Sequence, residues 1–178
     1  MNRVIFLDLD GVLNSDAHCQ RANAELGLTS RQGFYDVFAP KGAEGYRELS
    51  VTAAVRLLER GRCEMLDALC RDVGASLVVV SSWRRFAGVK TFREVFRAAG
   101  LTAPVVGVVG GVKMWDDFRA GAALEWLKAN PSVTAWAVLD DDPTHYLRYR
   151  ELAARLVTPC DGVAAGDCEK VRALLATG

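Results

Sequence analysis

The chain has 178 residues, of which 51% are hydrophobic and 25% charged, and its 22 Lys plus Arg balance its 22 Asp plus Glu. This is enough length for one domain with a full core, and zero net charge offers no basis for wholesale attraction to nucleic acid or membrane, although a local basic patch remains open. The five cysteines (Cys19, Cys63, Cys70, Cys160, Cys168) are odd in number and lack C-x-x-C spacing, which argues against a disulfide framework or a zinc site. No apolar run approaches membrane-spanning length and no signal peptide precedes the first strand, so a cytoplasmic protein is expected.

The first element follows almost at once. Val4, Ile5, Phe6 and Leu7 form a continuous apolar run, the pattern of a strand buried on both faces, and it ends in Asp8-Leu9-Asp10-Gly11. Carboxylates at i and i+2 leave a strand on the same side. At that distance they raise each other's pKa unless a cation lies between them or one keeps a proton, which suits a metal-assisted nucleophile beside an acid/base. Residues 15–50 carry glycines, charges and the aromatics Phe34, Tyr35, Phe38 and Tyr46 without a sustained period. They are too many for an ordinary loop between strand and helix, and we read them as a small cap-like insertion over the C-terminal edge of the first strand.

Helices and strands then alternate. Leu66, Leu69, Cys70 and Val73 recur at i, i+3, i+4, i+7 before Gly74, a helix with its stop signal, and Cys70 fits its apolar face as an inert thiol. Residues 77–80 form a second apolar strand ending in Ser81-Ser82-Trp83-Arg84-Arg85. Phe92, Val95, Phe96 and Ala99 repeat the helical spacing before Gly100, and residues 105–109 make a third strand. Asp116 and Asp117 are capping candidates for a helix bearing Ala120, Ala123, Leu124 and Leu127. A fourth strand over residues 135–139 ends in Asp140-Asp141-Asp142-Pro143, and a weaker one covers residues 155–157. A last helix begins near Asp167 and buries Val171, Leu174 and Leu175. The alternation predicts an α/β fold: a three-layer, Rossmann-like, doubly wound parallel sheet over residues 1–178, with residues 15–50 inserted after strand one.

Ligands in such a sheet bind beyond the carboxyl ends of the strands. Each polar cluster there has an ordinary reading by itself, since Ser-Ser caps helices and Asp-Pro makes turns. Together they place carboxylates from two strands, hydroxyls from a third and guanidinium groups in one region, a set suited to a hard cation and an anion. Oxygen-only ligation favours Mg²⁺ over zinc. His18 and His145 have no partner cluster and are expected in structural or surface roles, and Trp83 is expected to pack into the fold more readily than to stack on a base.

The combination resembles the haloacid dehalogenase (HAD) superfamily of phosphohydrolases. The resemblance rests on Asp8-Leu9-Asp10-Gly11-Val12, on Ser81 or Ser82 after strand two, on a basic residue near the helix before strand four, and on Asp140-Asp141. More narrowly, Asp10-Gly11-Val12-Leu13-Asn14, Ser81-Ser82-Trp83-Arg84 and Leu139-Asp140-Asp141-Asp142 resemble HAD domains associated with RNA-repair proteins. Ser82-Trp83-Arg84 is also similar to the phosphatase half of polynucleotide kinase-phosphatases. Arg119, followed by Gly121 and Trp126-Leu127, resembles the RNA-repair-associated pattern for the basic residue, with Lys113 as its competitor.

The resemblance implies a phosphomonoester hydrolase in which Asp8 is the nucleophile and Asp10 the acid/base. Asp8, the backbone carbonyl of Asp10, Asp140 and Asp141 would hold Mg²⁺. Ser81 or Ser82, with Arg119 or Lys113, would bind the transferring phosphate, and Arg84 or Arg85, Arg84 being the better candidate by pattern, would grip a second phosphate or the substrate backbone. The implied partner is a phosphorylated substrate, either a nucleic-acid end or a nucleotide, met without a membrane. The competing readings are a phosphatase of small phosphometabolites and a non-catalytic module that binds a partner or an RNA end.

Overall fold

The computed structural model describes residues 2–28, 31–42, 45–110 and 118–177. In chain order it contains β1 (Asn2–Leu7), α1 (Asp16–Glu25), α2 (Arg31–Phe38), α3 (Val51–Leu57), α4 (Arg60–Val73), β2 (Ala75–Val79), α5 (Val89–Ala99) and β3 (Val105–Val108). It continues with α6 (Phe118–Ala129), β4 (Val133–Leu139), α7 (Arg150–Ala153), β5 (Leu156–Val157) and α8 (Ala165–Ala176). The five strands are parallel in the order β3-β2-β1-β4-β5.

The apolar runs explain the layering. Ile5, Leu7, Leu77, Val79, Ala137 and Leu139 point to one face of the sheet, where they meet α4, α5 and α8. Val4, Phe6, Val78, Trp136 and Val138 point to the other, against Ala120, Ala122 and Ala123 of α6. Both faces are covered, as the doubly wound pattern requires. The chain leaves α4 through Gly74, whose left-handed conformation (φ 64°) carries it straight into β2.

This order fixes where the strand ends open. From β1 the chain steps to β2 and β3, then returns under α6 to β4 on the far side of β1. Successive connections therefore diverge between β1 and β4, where a crevice forms beyond the strand ends. In the sheet, Leu7 is in register with Val79 on one side and Leu139 on the other. The next residues, Asp8, Val80 and Asp140, consequently emerge side by side, and the Asp8 N–H still donates to the Leu139 carbonyl at 2.9 Å.

The stretch from residue 15 to 50 has more regular structure than its sequence announces, because it contains α1 and α2. Helix α1 buries only Ala22, so it carries no apolar stripe to read; its start is set by Ser15, whose Oγ accepts the His18 N–H. Helix α2 is held by its aromatics: Phe34 stacks on Phe38 at 4.8 Å, and the Phe38 ring meets Trp83 edge-on at 4.8 Å. The stretch is pinned to the fold by Glu59, whose Oε1 accepts from the Ser15 N–H (2.7 Å) and hydroxyl, and by the Leu49 N–H donating to the Phe86 carbonyl. It thus packs against the segment following β2 as well as the start of α4.

Helix α8 begins two residues before Asp167, whose carboxylate accepts the Ala164 N–H, and Leu174 lies only partly buried. The five cysteines are free thiols, and burial pushes those of Cys63 and Cys70 up to about 12. Among the described residues no helix is long and apolar enough to cross a membrane.

Candidate active site

Two buried carboxylates face each other across the crevice. Asp8 is 2% exposed and Asp140 not at all. Arg119, in the first turn of α6, joins them: its Nη1 donates to Asp8 Oδ2 at 2.8 Å and to Asp140 Oδ2 at 2.9 Å. A cation at a helix N-terminus opposes the helix dipole, so these two carboxylates rather than local helix energetics hold it there. Desolvation lowers the guanidinium pKa, but the two carboxylates outweigh it and hold Arg119 firmly in its charged form. Asp140 is fixed further by the hydroxyl of wholly buried Tyr146 (2.7 Å to Oδ2) and by the Asp142 N–H (3.0 Å to Oδ1).

One arginine does not neutralise the cluster. Burial, and then the charge of Asp140, push the Asp8 carboxyl up to about 7. Asp8 Oδ1 is buried without a hydrogen-bond partner among the described residues, an expensive condition for a carboxylate oxygen. Asp141 completes the set, because oxygens of Asp8, Asp140 and Asp141 lie within 4.8 Å of one another. Gly11 (φ 69°) makes room for it: a Cβ at that position would overlap the Asp141 carboxylate. An orphaned buried oxygen, excess negative charge and an oxygen-only donor set fit a hard divalent cation such as Mg²⁺.

Asp10 is built differently. Its carboxylate lies outside that trio and accepts from Trp83, whose Nε1 donates to Oδ2 at 2.9 Å. The amide of buried Asn14 approaches Oδ1 at 3.4 Å, while its own Oδ1 accepts the Gly11 N–H (2.8 Å). Asp10 is an exposed residue at the rim. Desolvation by the protein around its carboxyl nevertheless raises its pKa, against the lowering effect of the Trp83 and Asn14 bonds.

A family model for the HAD domain in Swiss Army Knife RNA repair proteins matches residues 4–163. The chain belongs to this family. No curated protein matches it. Membership in this HAD family points to phosphohydrolase-type function and agrees with the parallel α/β sheet.

The remaining residues expected in the HAD site fall as follows. Ser81 is wholly buried and its Oγ accepts the Trp83 N–H at 3.4 Å, whereas Ser82 begins a 3-10 turn (Ser82–Arg85) and is partly exposed. Arg84 folds back on the strand end, its Nη1 donating to the carbonyls of Val80 (2.8 Å) and Ser81 (3.0 Å). Burial, and then the charges of Arg119 and Arg85, lower its pKa. Lys113, Asp116 and Asp117 lie outside the described residues, so Arg119 is the expected cation whose contacts can be stated. The carboxylate of Asp10 is not part of the acidic trio, which confines its suggested metal contact to the backbone carbonyl. His18 reaches the Arg56 carbonyl (3.0 Å) and His145 pairs with Asp142 (3.3 Å).

Three supports of the site escaped sequence reasoning: Tyr146 on Asp140, Trp83 on Asp10, and the two-way role of Asn14. Tyr146 lies six residues after Asp140 beyond a proline turn, a spacing that points to a contact only once the turn's path is known. Trp83 reads as core by type and its ring is core, but its one N–H is polar and must find an acceptor.

Proposed function

We propose that the chain is a Mg²⁺-dependent phosphomonoester hydrolase that works through an aspartyl-phosphate intermediate on Asp8 and acts on phosphates of nucleic-acid ends or nucleotides. The observation that carries this reading is the division of labour between two aspartates. Asp8 joins Asp140 and Asp141 around Arg119, whereas Asp10 stands apart on neutral donors.

Asp8 would attack phosphorus through a carboxylate oxygen, held toward Asp140 by the Arg119 bridge. Asp8, Asp140, Asp141 and the Asp10 backbone carbonyl would hold Mg²⁺. When bound, the ion supplies charge neutralisation between the anionic nucleophile and the phosphate. Asp10, with its raised pKa, would protonate the leaving oxygen and later take a proton from the water that cleaves the aspartyl-phosphate. Arg119, Arg84 and a hydroxyl from Ser81 or Ser82 would bind the phosphoryl oxygens, and their task would be positioning and charge stabilisation. The wording of the matched family favours a nucleic-acid substrate, which the even balance of charges over the whole chain does not add to.

The test is phosphate release, with added Mg²⁺, from 3′- and 5′-phosphorylated oligonucleotides, mononucleotides and sugar phosphates. Turnover of an oligonucleotide end above that of the sugar phosphates is expected. Hydrolysis confined to the small molecules would overturn the nucleic-acid assignment. Oligonucleotide binding without turnover of any substrate would replace the hydrolase with a binding module.

A further inference from the structure

We infer that Trp83 is a positioning residue for the acid/base: its indole N–H fixes Asp10 through Oδ2, leaves Oδ1 as the oxygen that carries the transferred proton, and links that geometry to the inserted helix α2. This inference rests on the hydrolase reading and assigns a residue that the reading leaves without a role.

A carboxylate at a rim that is held only by water turns freely about its Cβ–Cγ bond, whereas protein donors on both oxygens fix its plane. Asp10 is an exposed residue, yet donors from two separate segments engage it: Trp83 Nε1 after β2 at 2.9 Å, and Asn14 Nδ2 after β1 at 3.4 Å. The result is a fixed plane rather than solvation. The two oxygens are also inequivalent. Oδ2 receives a well-formed bond, whereas Oδ1 receives a contact near the limit of hydrogen-bond distance. A neutral carboxyl accepts N–H bonds best on its carbonyl-like oxygen, which places the proton of protonated Asp10 on Oδ1.

The indole cannot drift. Trp83 is 3% exposed, its ring lies edge-on to Phe38 of α2 at 4.8 Å, and its backbone N–H is tied to Ser81. Asn14 is equally held, since its Nδ2 also donates to the Leu57 carbonyl at 3.1 Å. Through Phe38 and Trp83 the packing of the inserted segment reaches the carboxylate at the rim.

The proton balance is simple. In the first half-reaction the Asp8–phosphorus bond forms and the bond from phosphorus to the leaving oxygen breaks. As it does, Oδ1–H breaks and its proton passes to that oxygen. In the second, the water–phosphorus bond forms, the Asp8–phosphorus bond breaks, and the water proton returns to Oδ1. Trp83 touches none of the reacting atoms; it acts by aiming Oδ1.

Leaving-group dependence tests this, because a better leaving group needs less help from the acid. Two substrates of similar shape serve, phenyl phosphate and 4-nitrophenyl phosphate, the first having the more basic leaving oxygen. Two variants are compared with the parent: Trp83→Phe, and replacement of Trp83 by 3-benzothienylalanine, which keeps the fused-ring shape and removes only the N–H. With Mg²⁺ present, the benzothienyl variant is expected to lose about tenfold in kcat/KM on phenyl phosphate and less than about threefold on 4-nitrophenyl phosphate, a fraction of the full general-acid contribution. Unchanged thermal unfolding of that variant keeps the comparison valid even if Trp83→Phe folds poorly. Equal losses on the two substrates, or no loss on either, would overturn the positioning role while leaving the hydrolase intact. Failure of the parent to hydrolyse either aryl phosphate, together with no phosphate release from the oligonucleotides, mononucleotides and sugar phosphates, would overturn both readings.

Discussion

Different surroundings meet at the C-terminal end of β1. On the β4 side, Asp8 is buried among charges, with Asp140 and Asp141 close by and Arg119 bridging two of the three. On the β2 side, Asp10 stands at the rim and is held by neutral N–H groups of Trp83 and Asn14. The arginine bridge fixes Asp8 in one place, among carboxylates whose excess charge a bound cation would offset, which suits a nucleophile and cation ligand. Neutral donors fix the orientation of Asp10 while leaving a proton free to come and go, which suits an acid/base. Two aspartates two residues apart are thereby given different environments, which the proposed mechanism uses for different chemistry.

The sharpest way to break this contrast is at Asp10. Asp10→Asn removes the proton carrier and leaves the Asp8–Arg119–Asp140 bridge untouched, so kcat/KM on a substrate with a basic leaving group should fall by about 10²–10⁴. Steady-state kinetics on aryl phosphates measures it, and parent-like rates would erase the distinction between the two carboxylates. A second test removes the buried anchor of the Asp10 side. Phe38 is packed between Phe34, Trp83 and Phe86, so Phe38→Ala should cost about 3–5 kcal/mol in urea unfolding. A cost below about 1 kcal/mol would mean that α2 is not anchored there.

The smallest effect concerns the charged side. In the metal-free protein the Asp8 carboxyl is raised from its ordinary 3.8 to about 7. The folded state therefore binds more protons than the unfolded state between those values. This contribution to stability is fully present below about pH 4 and is lost as pH rises through about 7. Asp8→Asn lacks it. In chelator, the variant should gain about 1–3 kcal/mol relative to the parent between pH 5 and pH 8. A difference that stays flat across that range would show that Asp8 carries no such burden.

The two sides also differ in how much of them sequence could reveal. The charged side was largely legible, because Asp8 and Asp140 each follow an uninterrupted apolar run and strands in register bring such ends together. Arg119 was reachable only through family resemblance, since an arginine in a first helical turn looks like a solvated charge until the sheet places two carboxylates beneath it. The Asp10 side was mostly hidden. Helix α1 has a single buried residue and α2 is short, so neither shows a sustained period, and residues 15–50 read as irregular. Trp83 and Tyr146 are bulky residues whose burial is easy to expect. What pattern cannot supply is the direction of one N–H or one hydroxyl, which depends on packing between distant segments.

The central claim, that Asp8 is a cation-assisted nucleophile, is tested most directly by 4-nitrophenyl phosphate hydrolysis in the parent and in Asp8→Asn, with Mg²⁺ and with chelator. Turnover by the parent that needs Mg²⁺, together with its abolition in Asp8→Asn, is the predicted result. Hydrolysis that survives Asp8→Asn, or continues undiminished in chelator, would contradict it.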